Sequence, residues 1–109
     1  MRDAAEELDR LRGLSPEAQL WQEGGRHAAF LPGFAFKLRG QQAAEDVLLV
    51  PFAHSGYETR LFFRRQLTAD QIWHVHVVCG QTWWSPSWRG VLEDRPWTEI
   101  LADHLRAVA

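Results

Sequence analysis

Asparagine is missing from this chain, cysteine occurs once, and no apolar run nears the length of a membrane span. A single cysteine cannot close an internal disulfide, which excludes the disulfide-built scaffolds of small secreted domains. A basic surplus is also missing: 12 lysines and arginines stand against 14 acids, for a formal charge of -2. Little is left to neutralise phosphates, so no nucleic-acid partner is expected. Arg60, Arg64 and Arg65 come nearest to a basic patch, and a solvated strand edge is the simpler reading. The N-terminal MRDAAEELDRL has none of the apolar core of a signal peptide, so a cytoplasmic protein without a membrane partner is expected. Internal repeats, a glycine-rich phosphate loop, Cys-x-x-Cys and His-Glu-x-x-His are all absent.

What is present describes a folded domain. Of the residues, 46% are hydrophobic and 12% aromatic, and 109 residues make one domain, taken as 1–109. Asp3 caps a first helix that carries Ala4, Leu8 and Leu11 on one face, and Gly13 ends it. Ser15-Pro16-Glu17 reads as the start of a short second helix, stopped by Gly24-Gly25. Leu31-Pro32-Gly33 reads as a turn, followed by an alternating strand through Phe34, Phe36 and Leu38. Gly40 to Asp46 is polar and reads as a loop. Val47 to Val50 suits a central strand, His54-Ser55-Gly56 a turn, and Tyr57 to Arg64 a third strand. Ile72 to Cys79 is the clearest strand, with Trp73, Val75, Val77 and Cys79 on one face and Ile72, His74, His76 and Val78 on the other. Gln81 to Leu92 has no clean period and reads as an ordered loop pinned by its tryptophans. Pro96 opens a last helix with Trp97, Ile100, Leu101, Leu105 and Val108 on its apolar face. The expected fold is α+β: a four-stranded antiparallel meander flanked by terminal helices that cover one face.

The stretch Ile72 to Arg89 holds four of the six tryptophans, two of the five histidines and the cysteine. Three chemistries compete there. Cys79 could be a nucleophile, but strand alternation turns His74 and His76 away from it, leaving His54 as the available base. A lone cysteine on an apolar face also serves as a small buried hydrophobe. His74 and His76 point the same way and could share a metal, given further ligands from His54, His27, His104 or a carboxylate. Two histidines on a sheet face need no metal, and neither metal nor cofactor is expected. Trp83, Trp84, Trp88 and Trp97 could line a groove for a protein partner, or anchor the core. Glu45-Asp46 and Glu93-Asp94 sit in apparent turns, where acids are common, and no paired-carboxylate chemistry is signalled.

LPGFAFKLRG (Leu31 to Gly40), SGYETRLFF (Ser55 to Phe63), WWSPSW (Trp83 to Trp88) and EILADHLRAV (Glu99 to Val108) together resemble the ubiquitin-conjugating (E2-like, RWD-like) fold, especially its small bacterial members. The resemblance implies a thioester carrier on Cys79, with an activating enzyme or ubiquitin-like protein as partner. The pattern is incomplete. The family's His-Pro-Asn is replaced by His74-Val75-His76, and without asparagine the amide that supports the oxyanion is missing. Cys79 also follows His74 at less than the family spacing. A non-catalytic E2-like interaction module is therefore the leading reading, with a Cys79 carrier as the alternative.

Overall fold

A computed structural model describes residues 2–109. Helix α1 (Ala4–Leu11) begins where the Asp3 carboxylate accepts the Ala5 amide at 3.0 Å, and it buries Leu8 and Leu11. The helix expected after Ser15 does not form. A single turn closes from the Ala18 N–H to the Ser15 carbonyl, and the chain then extends as β1 (Gln19–Glu23). Gly24 and Gly25 explain this. Both have positive φ, 58° and 80°, and Glu23 pairs with Arg26 across them. They form a two-residue hairpin turn, not a helix stop.

Strand β2 (Arg26–Leu38) runs through the expected turn at Leu31-Pro32-Gly33. Leu31 faces Val47 and Phe34 faces Glu45, so β2 carries an extra residue there, a bulge that tolerates the proline. Asp46 holds it by accepting the Gly33 N–H at 2.8 Å. Arg39 and Gly40, again with positive φ, turn the chain into β3 (Gln41–Val50). The polar segment expected as a loop is thus the outer end of a long hairpin. The C-terminus secures this end, since Arg39 N–H donates to the Val108 carbonyl at 2.7 Å.

β4 (Arg60–Phe63), β5 (Trp73–Val78) and β6 (Gln81–Pro86) complete the sheet. Among the described residues there are six strands, in the order β1-β2-β3-β4-β6-β5, with every neighbour antiparallel. The α+β class stands, but the four-stranded meander is corrected to six strands with β6 inserted between β4 and β5. Half of the presumed tryptophan loop is β6. Cys79 and Gly80, φ 51° and 74°, fold the chain back, and Thr82, Trp83 and Trp84 suit a pleated surface. β5, the clearest strand in the sequence, is an edge.

Helix α2 (Trp97–Leu105) packs beside α1 on one face of the sheet. Leu11, Ile100 and Leu101 are fully buried there with Val47, Leu49, Leu61 and Phe63. The second face has its own apolar cluster, including Leu48, Val50, Phe62, Val78 and Trp83, with Trp21 and Phe30 packed against it. Among the described residues no helix covers that cluster. The sheet coils instead: Trp21 of β1 stacks on Phe30, 4.2 Å between centroids, and approaches Trp83 of β6 edge-on at 6.3 Å.

α2 has no side-chain cap of its own, because Pro96 occupies the N-cap position. Glu7 of α1, only 2% exposed, supplies one by accepting the Trp97 N–H at 2.7 Å, while its other oxygen pairs with Arg10. The carboxylate thereby joins the two helices. Glu7→Ala is expected to lower stability in urea denaturation by about 2 kcal/mol, the scale of a lost cap that is also a charged hydrogen bond. Glu7→Gln should lose less, because its amide oxygen can still accept the Trp97 N–H.

Candidate functional site

Strand alternation places His74, His76 and Val78 of β5 on the coiled face and Trp73, Val75 and Val77 on the other. This division is the one expected for Trp73 to Val78. Cys79, expected on the Trp73 face, instead packs against the coiled-face cluster, because the turn breaks the alternation there. Trp73 turns to the helix side, against Phe63, and its indole N–H donates to Thr68 Oγ1 at 3.0 Å. The His54-Ser55-Gly56 turn closes with a bridge between His54 and Tyr57 and lies over the histidine face. His54 and His76 are 5.8 Å apart by ring centroid, and His74 and His76 are 6.4 Å apart. Ser55 Oγ lies 2.7 Å from His54 Nδ1 and 3.5 Å from His76 Nδ1. Two imidazoles therefore meet at one hydroxyl, with His74 beside His76 on the same strand face. Among the described residues, however, no group of three or more His, Cys, Asp or Glu converges to hold a metal. His27 lines a separate depression with Arg26 and Phe52, and His104 is buried in α2.

Cys79 is not at a strand end. It is the first residue of the β5–β6 turn, in the left-handed region. Its N–H donates to Glu23 Oε1 at 2.9 Å and its thiol donates to the Gln22 carbonyl at 3.2 Å. Burial, with a smaller contribution from the Glu23 charge, raises the thiol above its ordinary pKa. His54 meets the same carboxylate, with its Nε2 3.6 Å from Glu23 Oε2. Glu23 thus links the two residues nominated for nucleophilic chemistry. The sulfur itself engages a carbonyl, an arrangement that favours the thiol over the thiolate.

The tryptophans divide between the two faces of the sheet. Trp83 is fully buried on the coiled face, with the Arg64 guanidinium 3.9 Å above its ring. Trp84, next along β6, points to the opposite face and pairs across from Phe63. Trp97 is buried on α2, and Trp88 is half-buried against the helix-side core. The three arginines of the presumed basic patch also separate. Arg64 covers Trp83, and Arg65 pairs with Glu45 at 2.7 Å. Arg60 is 1% exposed, on β4 in the middle of the sheet. Glu45 and Asp46 lie in β3, not in a turn.

Arg60, read from the sequence as part of a solvated strand edge, is instead a buried cation. Its Nε reaches Ser85 Oγ at 3.4 Å and its Nη1 reaches His76 Nε2 at 3.5 Å, both long. Its Nη2 is buried without a hydrogen-bond partner. Among the described residues no carboxylate lies within 4.0 Å of it. Tyr57 gives it partial support, its ring 4.0 Å from the guanidinium carbon, and Arg89 covers the same ring at 4.3 Å. The Tyr57 hydroxyl is held by Ser87 at 2.6 Å. Burial is the main cause holding the Arg60 pKa below the ordinary arginine value, with Arg89 adding to it and Tyr57 opposing. His76 is likewise lowered, by burial first and then by Arg60 and the other two imidazoles.

A second unforeseen feature is the free edge of β5. Ile72, Val75 and Val77 are 69%, 46% and 68% exposed, three of the five large exposed hydrophobics. The two-residue turn makes Val78 and Gln81 a hydrogen-bonded pair, and the Ser87 N–H donates to the Ile72 carbonyl at 2.8 Å. Antiparallel alternation between these points leaves the N–H and C=O groups of Trp73, Val75 and Val77 directed away from β6.

His104 illustrates the cost of burying an imidazole. Thr59 gives its one hydroxyl proton to the Val91 carbonyl at 2.8 Å, so His104 Nε2 must donate to Thr59 Oγ1 at 2.8 Å. Burial lowers the His104 pKa from 6.5 to about 4. The unfolded chain therefore takes up the proton first as pH falls. This contribution is complete above pH 6.5 and is lost on descending toward about 4, by at most roughly 3 kcal/mol. Urea midpoints measured across this range should drop, and His104→Gln should flatten the dependence. No family model matches the chain, and neither a curated protein nor a solved structure matches it.

Proposed function

We infer that the chain is a non-catalytic protein-interaction module that accepts an extended segment of a partner as an added strand on β5. The carrying observation is the unguarded edge. Trp73–Val78 contains no lysine, proline or bulge, the devices that ordinarily prevent edge pairing, and it offers exposed apolar side chains beside free backbone groups. Charge selects the occupant. The histidine face along β5 is flanked by Arg60 and Arg89, so a second copy would bring like charges together. A partner segment alternating apolar residues toward Val75 and Val77 with acidic residues toward His74 and His76 complements both sides. The state of Cys79, a hydrogen-bonded thiol with a raised pKa, supports the non-catalytic reading over a carrier role. The sequence resemblance supplies the setting proposed for this module, a bacterial ubiquitin-like conjugation pathway in which an activating enzyme or ubiquitin-like protein provides the segment.

Peptides selected from a displayed random library should alternate apolar and acidic residues, and should protect the Val75 and Val77 amides from hydrogen exchange. Val75→Pro removes an outward N–H while sparing the ladder to β6, and should weaken binding by about tenfold or more with the fold intact. Peptides that bind wild type and Val75→Pro equally would overturn strand addition. Cys79→Ser should bind them like wild type. A thiol-sensitive adduct with a ubiquitin-like protein, formed by wild type and absent from Cys79→Ser, would instead make the chain a carrier.

A further inference from the structure

We propose that the coiled face holds a phosphate-binding site, built on Arg60 and completed by His74, His76, Ser55 and Arg89. The site does not require a strand on β5. Its foundation is a guanidinium with no acid beside it. Arg60 is 1% exposed, its Nη2 has no partner, and its two polar contacts are at 3.4 and 3.5 Å. A buried cation in this condition is costly unless a negative group approaches.

The groups around it are those that would recognise one. His76 Nε2 faces the Arg60 N–H and must accept it, which leaves the His76 proton on Nδ1, toward Ser55 Oγ. His74 lies beside His76 on the same strand face and packs against Tyr57, with 6.1 Å between ring centroids. Arg89 lies on the ring of Tyr57, as Arg60 does, so two guanidiniums share one aromatic ring. A pocket of about 240 Å³ is lined by Tyr57, Arg89 and Gly90, so Arg89 is the member of the group that borders open space there. Glu58 is on its rim but makes no ion pair with either arginine among the described residues. Glu23, the acid near His54, is engaged by the Cys79 N–H.

Positive and donor groups are therefore concentrated on one face of a chain whose formal charge is -2. Their number and spread distinguish phosphate from a simple carboxylate. A carboxylate is satisfied by one planar guanidinium fork, whereas a phosphate group takes donors from several directions and carries the charge that two guanidiniums answer. Free phosphate and a phosphate monoester share this chemistry.

The test is a titration of the isotopically labelled protein with sodium phosphate, followed by the side-chain NMR signals of Arg60 and the histidines. Sodium chloride at matched ionic strength is the control. A saturable shift of the Arg60 Nε–H and the His76 ring is expected with phosphate and not with chloride. Phenyl phosphate titrated separately distinguishes the sources: tighter binding than phosphate marks a monoester site, and weaker binding marks a site for the free ion. Arg89→Ala, a surface change expected to leave the fold intact, should weaken binding about tenfold. Arg60→Gln should abolish it, and His74→Ala provides a second reading should that variant unfold. Equal responses to phosphate and chloride, no saturable response in the folded wild type, or unchanged affinity in both Arg89→Ala and His74→Ala would overturn the site.

Discussion

The architecture depends on β1 reaching across the sheet to the β5–β6 turn. These elements lie at opposite ends of the strand order, yet Glu23 accepts the Cys79 N–H and Gln22 accepts the Cys79 thiol. Twist coils a sheet of this width, and these contacts hold the coil shut on one side. Trp21, Phe30 and Trp83 then fill the inside of the curve. Leu48, Val50 and Phe62 are buried without a second helical layer as a result. The same bonds stabilise a turn whose first residue is not glycine, a conformation that costs roughly 1 kcal/mol. Cys79 therefore has a structural role whatever its chemistry.

The two faces of the sheet divide the work. The helix side is mostly apolar, and its buried charge, Glu7, has partners in Trp97 and Arg10. The coiled side carries the unpartnered buried side-chain nitrogens found among the described residues, Arg60 Nη2 and Trp83 Nε1. An apolar residue of similar volume in place of Arg60 would avoid the desolvation of a cation. Local rules are broken where other demands compete with stability, and Arg60 is such a place. Its neighbour Tyr57 is held in turn, by the Ser87 hydroxyl and by the guanidiniums of Arg60 and Arg89 against its ring.

Period and caps made part of this legible in advance. Asp3, the apolar face of the last helix, the His54-Ser55-Gly56 turn and the alternation along β5 all follow from short-range rules. The errors have a common source. Gly24-Gly25, Arg39-Gly40 and Cys79-Gly80 are two-residue hairpin turns, each ending in glycine and each with positive φ throughout. Reading the first as a helix stop removed β1. Missing the third turned β6 into a loop and hid the strand inserted between β4 and β5. The pair X-Gly between apolar segments was the available signal. The burial of Arg60 had no such signal, because it depends on β6 covering β4. Neither did the shared role of Glu23, which arises only when the sheet coils.

The edge and the histidine face belong to one strand, and the period of two connects them. Along β5 the outward backbone groups belong to Trp73, Val75 and Val77, while the imidazoles belong to His74 and His76. A strand paired with the former must set its alternate side chains beside the latter, in a register limited to steps of two residues. Hydrophobic contact and charge would then be read at once, on opposite faces of one added strand. The arrangement also limits what binding can disturb. Arg60 reaches His76 from β4, across β6, so an added strand would meet the rim of the cluster and leave its buried base in place. Strand addition of this kind would be selective without asking the small core to rearrange.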